Sequence, residues 1–352
     1  MKINIKNIKI KSVCVTLFIS LFLSCNNGIE ESLADKGAGK GLNDIIADSR
    51  KIFLDAFVSF GNSLKESFSI TSTTTKKAVG ERLGNVGEAV KLVKGNLESL
   101  KEKEHFGFIK NKVETSIDNS IKTLDKIVNG VGKIKEATAG SADNKIGNAT
   151  KDGEDAAPPS DTDSVKSIVE GIGMVYGAAR ETGIDPKGDA TKTVTDSKKV
   201  GNLFGNNGSI GGADALKAAH MALTNASGAD ILAAIDIAAK GGTSKPAGQI
   251  KDATNAFDIA IATQNHGDAH VDVRTKGAVI AAGIALRAIA KDGKLATVAT
   301  NAPKEEINAV LIGAVGKTIN EIVSTIRRTV DKCLKNVSDC IKENSSSEVK
   351  SK

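Results

Sequence analysis

The chain has 352 residues, a formal net charge of +6, 40% hydrophobic residues and 26% charged residues, which excludes a disordered composition. Aromatics are 3%, with ten Phe, one Tyr and no Trp, beside 35 Gly and five Pro, which argues against an all-β sandwich with its strand formers and frequent turn breaks. The length allows one or two domains with a substantial core, and the positive charge points to nucleic acid or a membrane surface until the N-terminus is read.

Residues 1–11 carry Lys2, Lys6, Lys9 and Lys11 and no acid, and an uncharged apolar run from Val13 to Leu23 leads into Ser24-Cys25. A basic start, about a dozen apolar residues and a small residue before the cut make a secretory signal. The run is shorter than the ~20 residues a transmembrane helix needs. Leu21-Phe22-Leu23-Ser24-Cys25 resembles a bacterial lipobox in the relaxed form of spirochaetes, Phe22 being its departure from the stricter pattern. The expected modification is cleavage after Ser24, a diacylglycerol on the Cys25 thiol and an acyl chain (N-palmitoyl) on its freed amine. Several chains on one residue exceed the two-signal threshold for stable anchoring. Cleavage leaves 328 of the 352 residues and removes four Lys and no acid, so the formal charge falls from +6 to +2. The basic signature belongs to the discarded peptide, and no nucleic-acid partner is expected.

Residues 25–41, with Gly28, Gly37, Gly39 and Gly41 among polar residues, read as a lipidated tether. Phe53, Phe57, Phe60, Leu64 and Phe68 then recur at helical spacing up to the Thr71–Thr75 run. Val79, Leu83, Val86, Val90, Val93, Leu97 and Leu100 step alternately by four and three, the seam of helix-on-helix packing. Gly80, Gly84, Gly87 and Gly95 weaken that helix by up to ~1 kcal/mol each, and they open it to close approach by a neighbour. A third pattern runs through Phe106, Ile109, Val113, Ile117, Ile121, Leu124, Val128 and Val131. Residues 140–163, with Asp143, Asp152, Glu154, Asp155, Asp161 and Asp163, read as an exposed acidic loop, and Ser164 as the cap of a fourth helix closed by Gly183 and Pro186.

After a second polar loop, 184–212, the composition turns to Ala-rich helices at about 213–226, 229–240, 247–263 and 275–291. The last is apolar nearly all round yet too short to span a bilayer, which predicts a buried core helix. Pro303, Glu305 and Glu306 open a final helix whose inner face is Ile319, Ile322, Ile326, Val330, Cys333, Val337 and Cys340. The predicted organisation is a signal peptide at 1–24, a tether at 25–41, one all-α domain at 42–342 and a disordered polar tail at 343–352. The fold expected is an elongated helical bundle. Its long terminal parts, 42–139 and 303–342, lie near the membrane, and its Ala/Gly-rich part, 140–302, carries long loops distally.

The search for chemistry returns little. His266 and His270 stand four apart, a spacing that holds zinc on a helix, but Asn265 and Gly267 read as a solvated loop. His220 reads as a partly buried structural residue. Gly205–Gly212 has glycines but neither the preceding strand nor the Gly-Lys-Ser/Thr of a phosphate loop, and reads as a turn into a helix. The acids of 152–163 lack EF-hand spacing. No catalytic residue, metal site or cofactor is assigned. Of four Cys, Cys14 leaves with the signal and Cys25 takes lipid. Cys333 and Cys340, seven apart, would stand ~10.5 Å apart along a helix, too far for a disulfide with each other, which needs Cα atoms within ~7 Å; they read as two buried thiols on one apolar face, the alternative being an intermolecular bond.

The lipobox, Arg274–Ala296, Val175–Gly183 and Lys198–Gly205 together resemble the variable large proteins of relapsing-fever Borrelia. Residues 274–296 are similar to the invariant internal helix of the related Vls surface lipoprotein of Lyme Borrelia. The resemblance spans essentially the whole chain. It implies an all-α lipoprotein of the cell outer membrane, facing the exterior, exchanged among serotypes to evade host antibodies. Outer-membrane lipid through Cys25 and host antibody are the partners it implies. The alternative is an adhesin for a host ligand or anionic glycan, using Lys187, Lys192, Lys198 and Lys199, although Asp185, Asp189 and Asp196 dilute that charge. The loops 140–163, 184–212, 241–250, 264–273 and 291–302 are expected to vary without disturbing the helix cores.

Overall fold

The computed structural model describes residues 69–102, 106, 109–140, 144–150, 157–195, 197–204, 212–241, 248–263, 268–270, 272–297 and 304–346, preceded by Lys51, Leu54, Asp55, Val58 and Gly61. Those five early positions are helical, while the Phe register between them lies outside the described residues.

The described residues form α1 (Lys76–Lys101), α2 (Lys110–Thr138), α3 (Thr162–Glu181), a 3-10 helix (Lys198–Phe204), α4 (Ala213–Asn225), α5 (Gly228–Gly241), a short 3-10 turn (Ile250–Asp252), α6 (Ala256–Ile261), α7 (Gly277–Ile289) and α8 (Lys304–Ser346). Isolated bridges are the only β pairing recorded among them. The all-α expectation is met.

Helix α1 starts where Thr75 Oγ1 accepts the Ala78 N–H at 3.1 Å, a side-chain cap for an otherwise orphaned donor. Its predicted seam, Val79 to Leu100, is buried throughout. It pairs antiparallel with α2, through Lys94–Asp125 and Lys101–Asp118 ion pairs at 2.7 Å each. Three of the four glycines in α1 serve close approach: a Cβ at Gly80, Gly84 or Gly87 would sit 1.9–2.7 Å from Thr138, Lys135 or Val131 of α2. Gly95 faces open space. In α2 the buried stripe also includes Ile127 and Ile134, while Ile121 and Val128 sit at its edge.

Helix α3 starts at Thr162, capped by Asp161 Oδ1, which accepts the Ser164 N–H at 2.8 Å. Ser164 is therefore not the cap. Its hydroxyl donates instead to Ala137 O at 2.9 Å and ties α3 to the end of α2. These two helices cross at a pair of glycines. A Cβ on Gly171 would lie 2.5 Å from Gly130 O, and one on Gly130 would lie 2.6 Å from Gly171 O. Backbone cannot yield as a side-chain tip can. Gly171→Ala is therefore expected to cost about 2 kcal/mol by overpacking, read as a fall in the urea midpoint with an unchanged m-value.

Helix α5 opens on a reciprocal box. Ser227 Oγ accepts the Asp230 N–H at 3.1 Å, and Asp230 Oδ2 accepts the Ser227 N–H at 2.9 Å. Asp230 Oδ1 also accepts the Asp189 N–H at 2.7 Å. Burial pushes this carboxyl up, but the backbone donors outweigh it and hold it below the ordinary 3.8. A depressed acid stabilises the fold above its unfolded value, and the contribution is lost as pH falls through the folded value. Asp230→Ala should cost about 1–2 kcal/mol at neutral pH. The deficit should shrink in acid below pH ~4, followed by denaturation at stepped pH.

The predicted helix over 247–263 is two pieces. Asn255 Oδ1 accepts the Asp258 N–H at 3.0 Å and restarts the chain as α6, so the continuous Ala-rich pattern is cut by a local cap.

Helix α8 is 43 residues long and runs to Ser346, into the stretch expected to be a polar tail. It is long and apolar enough to cross a membrane by length and composition, but its stripe of Ile319, Ile322, Ile326, Val330 and Val337 is packed in the core. Its end lies against the start of α2, where Lys112 Nζ donates to Asn344 Oδ1 at 2.9 Å. Its middle is held by Lys317, which donates to Leu223 O and Ala226 O at 2.6 and 2.8 Å, the carbonyls where α4 ends. A cation at a helix C-terminus also complements the dipole there.

Candidate functional site

Cys25 and the signal peptide lie outside the described residues. What the structure does place is the segment 274–296 and the loops that cover it.

All thirteen residues of α7 are buried, as its all-round apolar sequence predicts. It packs against α1, α3, α4, α5, α6 and α8 and forms the centre of the molecule. In the whole of 274–296, only Thr275, Lys291 and Asp292 are exposed. Gly283 permits this density, since a Cβ there would meet Ile259 Cγ2 at 2.3 Å.

The one charged residue of α7 is Arg287, fully buried. Its Nε donates to Lys294 O at 2.7 Å. Nη1 donates to Ala260 O and Ala262 O at 3.1 and 2.8 Å, and Nη2 to Ala157 O and Pro158 O at 3.2 and 2.9 Å. Its plane lies 4.8 Å from the Phe204 ring centroid. Burial pushes the guanidinium down to about 9, so it stays charged at neutral pH. Lys76, also buried, reaches the same region from α1 and donates to Ala290 O at 2.5 Å and Gly293 O at 3.0 Å. Helical periodicity marks neither residue. The available signal was a single Arg near the end of an otherwise apolar helix, where C-terminal carbonyls need donors.

These contacts correct the picture of the loops. Within 140–163, Ile146, Ala149, Thr150, Ala157 and Ser160 are buried; Asp143, Asp152, Glu154 and Asp155 lie outside the described residues. Within 184–212, Val200, Leu203 and Phe204 of the 3-10 helix belong to the core. Thr297 Oγ1 donates to Thr150 O at 3.0 Å and joins two of the loops to each other. The loops are anchored at these points because a connection that wraps a buried arginine supplies carbonyls to it. Only the residues between the anchors are free to change.

The structure describes two of the three candidate histidines. His220 is exposed, not partly buried, because its position on α4 faces away from the Ala215–Ala219–Ala222 stripe. His270 is half-buried and its Nδ1 accepts the Asp272 N–H at 3.1 Å, while His266 lies outside the described residues. Among the described residues no three His, Cys, Asp or Glu converge as metal ligands. His220 and Lys217 line an open groove of about 650 Å³ with Thr193, Thr195 and Met221, and among the described residues no carboxylate lines it. Lys198 and Lys199 both engage Asp268, at 3.7 and 2.9 Å, so half of the lysines considered for glycan binding are drawn onto an acid. Cys333 is buried, and burial pushes its thiol up to about 12; Cys340 is half-buried, and both are free.

A packed helical body that hides its most apolar helix and turns polar connections outward has the architecture of an all-α surface antigen. The model of the Borrelia lipoprotein family matches residues 53–341, and the chain belongs to that family. It is 34% identical to variable large protein 4 of Borrelia hermsii over 340 residues, 95% of this chain and 93% of that one. Variable large protein 17 of the same organism is 34% identical over 327 residues, covering 90% and 86% of the two chains. The crystal structure of the Lyme disease variable surface antigen VlsE of Borrelia burgdorferi matches with a TM-score of 0.73 and 30% identity, over 85% of this chain and 98% of that one. The chain is a variable surface antigen, carried as a membrane-anchored lipoprotein, and its relatives are antigens rather than enzymes.

Proposed function

We propose that the protein stands on the outer face of the outer membrane, held by the lipidated Cys25. Its exposed loop residues differ among serotypes, so that host antibody against one version misses the next. The observation that carries this reading is the division of the surface. The 274–296 segment is hidden except at Thr275 and Lys291–Asp292, while Asp185, Lys187, Asp189, Thr191, Lys192 and Lys199 of the long loop are exposed. Antibody reaches the second group and is excluded from the first.

In this reading the signal is 1–24 and the tether 25–41. Residues 42–139 and 303–342 are membrane-proximal, and 140–302 is the distal variable part. The contact of the α8 end with the start of α2 supports placing those two together at one end. The proposal assigns no catalysis, cofactor or metal.

Comparing this chain with those expressed by successive serotypes tests it. Substitutions should concentrate at exposed loop positions and avoid Ile146, Ala157, Phe204 and the α1 seam, which are buried. Variation spread evenly over buried and exposed positions would sink the proposal.

A further inference from the structure

Lys76 and Arg287 form a buried pair of basic side chains whose donors end on backbone carbonyls. The two meet the same short loop. Lys76 Nζ holds Ala290 O and Gly293 O, and Arg287 Nε holds Lys294 O. The Lys76 N–H also donates to Asn144 O at 2.8 Å, and Thr75 bridges Lys145, so α1, the 144–150 segment and the 290–294 loop converge there. The loop is tightly seated: a Cβ on Gly293 would lie 2.4 Å from Arg287 O. Asp292 next to it takes φ of 65°, a conformation that non-glycine residues rarely adopt.

A neutral amine has two N–H groups and an ammonium has three. The Lys76 nitrogen has two carbonyl acceptors among the described residues, one for each N–H of the neutral form. A third proton adds a second positive charge beside Arg287 at a side chain closed to water. The charged groups acting on Lys76 are Arg287 from α7 and Asp292 and Lys294 from the loop; Lys145 stands across the bridge from Thr75. Among the described residues only Asp292 opposes the positive field, and its residue is exposed, where water weakens the interaction.

We infer that Lys76 is a proton-gated latch on the 290–297 loop: neutral, it locks the loop and the 144–150 segment onto α1, and uptake of a proton loosens all three. Burial, followed by the charge of Arg287, pulls the amine down from 10.5 to about 7, which places the gate near neutrality. The unfolded or opened chain then holds more protons than the closed one between these two values. Closing is therefore favoured progressively as pH rises through that window, and is weakened as pH falls toward 6.

Hydrogen exchange of the full chain, corrected for intrinsic rates, tests the latch. Between pH 8.5 and 6 the opening equilibrium of peptides spanning 144–150 and 290–297 should rise about thirty-fold, the change that linkage gives for a site moving from 10.5 to 7. Peptides at the Gly130–Gly171 crossing should not share the step. Lys76→Met should abolish it. Should that variant fail to fold, the 13Cε resonance of Lys76 in the unaltered chain gives the same answer, with a titration midpoint near neutrality expected. A midpoint above about 9.5, protection independent of pH, or an undiminished step in Lys76→Met would each overturn the latch.

Discussion

Arg287→Met is expected to lower the stability of the folded chain by about 4 kcal/mol or more. Five carbonyls, of Ala157, Pro158, Ala260, Ala262 and Lys294, take their donors from this one side chain. Pro158 O also accepts the Lys294 N–H at 3.1 Å and Ala260 O the Ser160 N–H at 3.4 Å, so among the described residues the acceptors left without a donor are those of Ala157, Ala262 and Lys294. An orphaned buried acceptor costs about 1–3 kcal/mol, so these three lose about 3–9 kcal/mol if none relaxes. Met removes the desolvation cost of a buried guanidinium, and water can reach some of the carbonyls nearest the loops. Neither effect offsets three acceptors at once. The conservative change is also informative. Lys offers three donors from one point where Arg offers a planar fork, so the amine of Arg287→Lys does not reach the carbonyls of Ala157, Ala262 and Lys294 together, and the change should cost about 2–4 kcal/mol. Chemical denaturation with urea measures both, and a midpoint within error of the unaltered chain would show that the cradle is not what holds these four segments together.

Cys25→Ala should release the protein from membranes. In the proposed function Cys25 stands directly behind the cleavage point at Ser24, and acyl chains on that residue are the anchor. Each buried methylene contributes about 0.8 kcal/mol, so two or three chains hold a protein far more firmly than surface charge does. After loss of the signal the formal charge is only +2, too small to replace them. Detergent phase partitioning reads the outcome. The unaltered protein should enter the detergent phase and the variant the aqueous phase. Continued retention of Cys25→Ala with detergent would mean that another segment carries the attachment.

Much of the fold was legible before any coordinates. The seam from Val79 to Leu100 is buried at every position predicted, because a strict four-three repeat can face a neighbour in only one way. The α1 glycines marked a close approach, and the apolar run in 277–289 marked a buried helix. The cradle around Arg287 was not legible. Its acceptors come from 157–158, 260–262 and 294, brought together by tertiary structure, and helical periodicity carries no information on carbonyls from other segments. The same limit explains the loops. Ala157, Phe204 and Ile146 sit in stretches whose average composition is polar, so composition read them as solvated although each is an anchor. Asp161 rather than Ser164 caps α3 because both residue types cap, and spacing alone does not choose between them.

The division between hidden and exposed surface gives the variation its room and its limit. Exposed residues between anchors can be replaced at little energetic cost, since surface changes away from special contacts stay within about 0.5 kcal/mol. The anchors cannot, which keeps one helical body beneath many surfaces. The central claim is that this body is displayed to the outside. Antibody staining of cells before and after permeabilisation, with antiserum raised against the folded chain, tests it directly. Intact cells should stain as strongly as permeabilised ones. Staining that appears only after the outer membrane is opened would contradict the account.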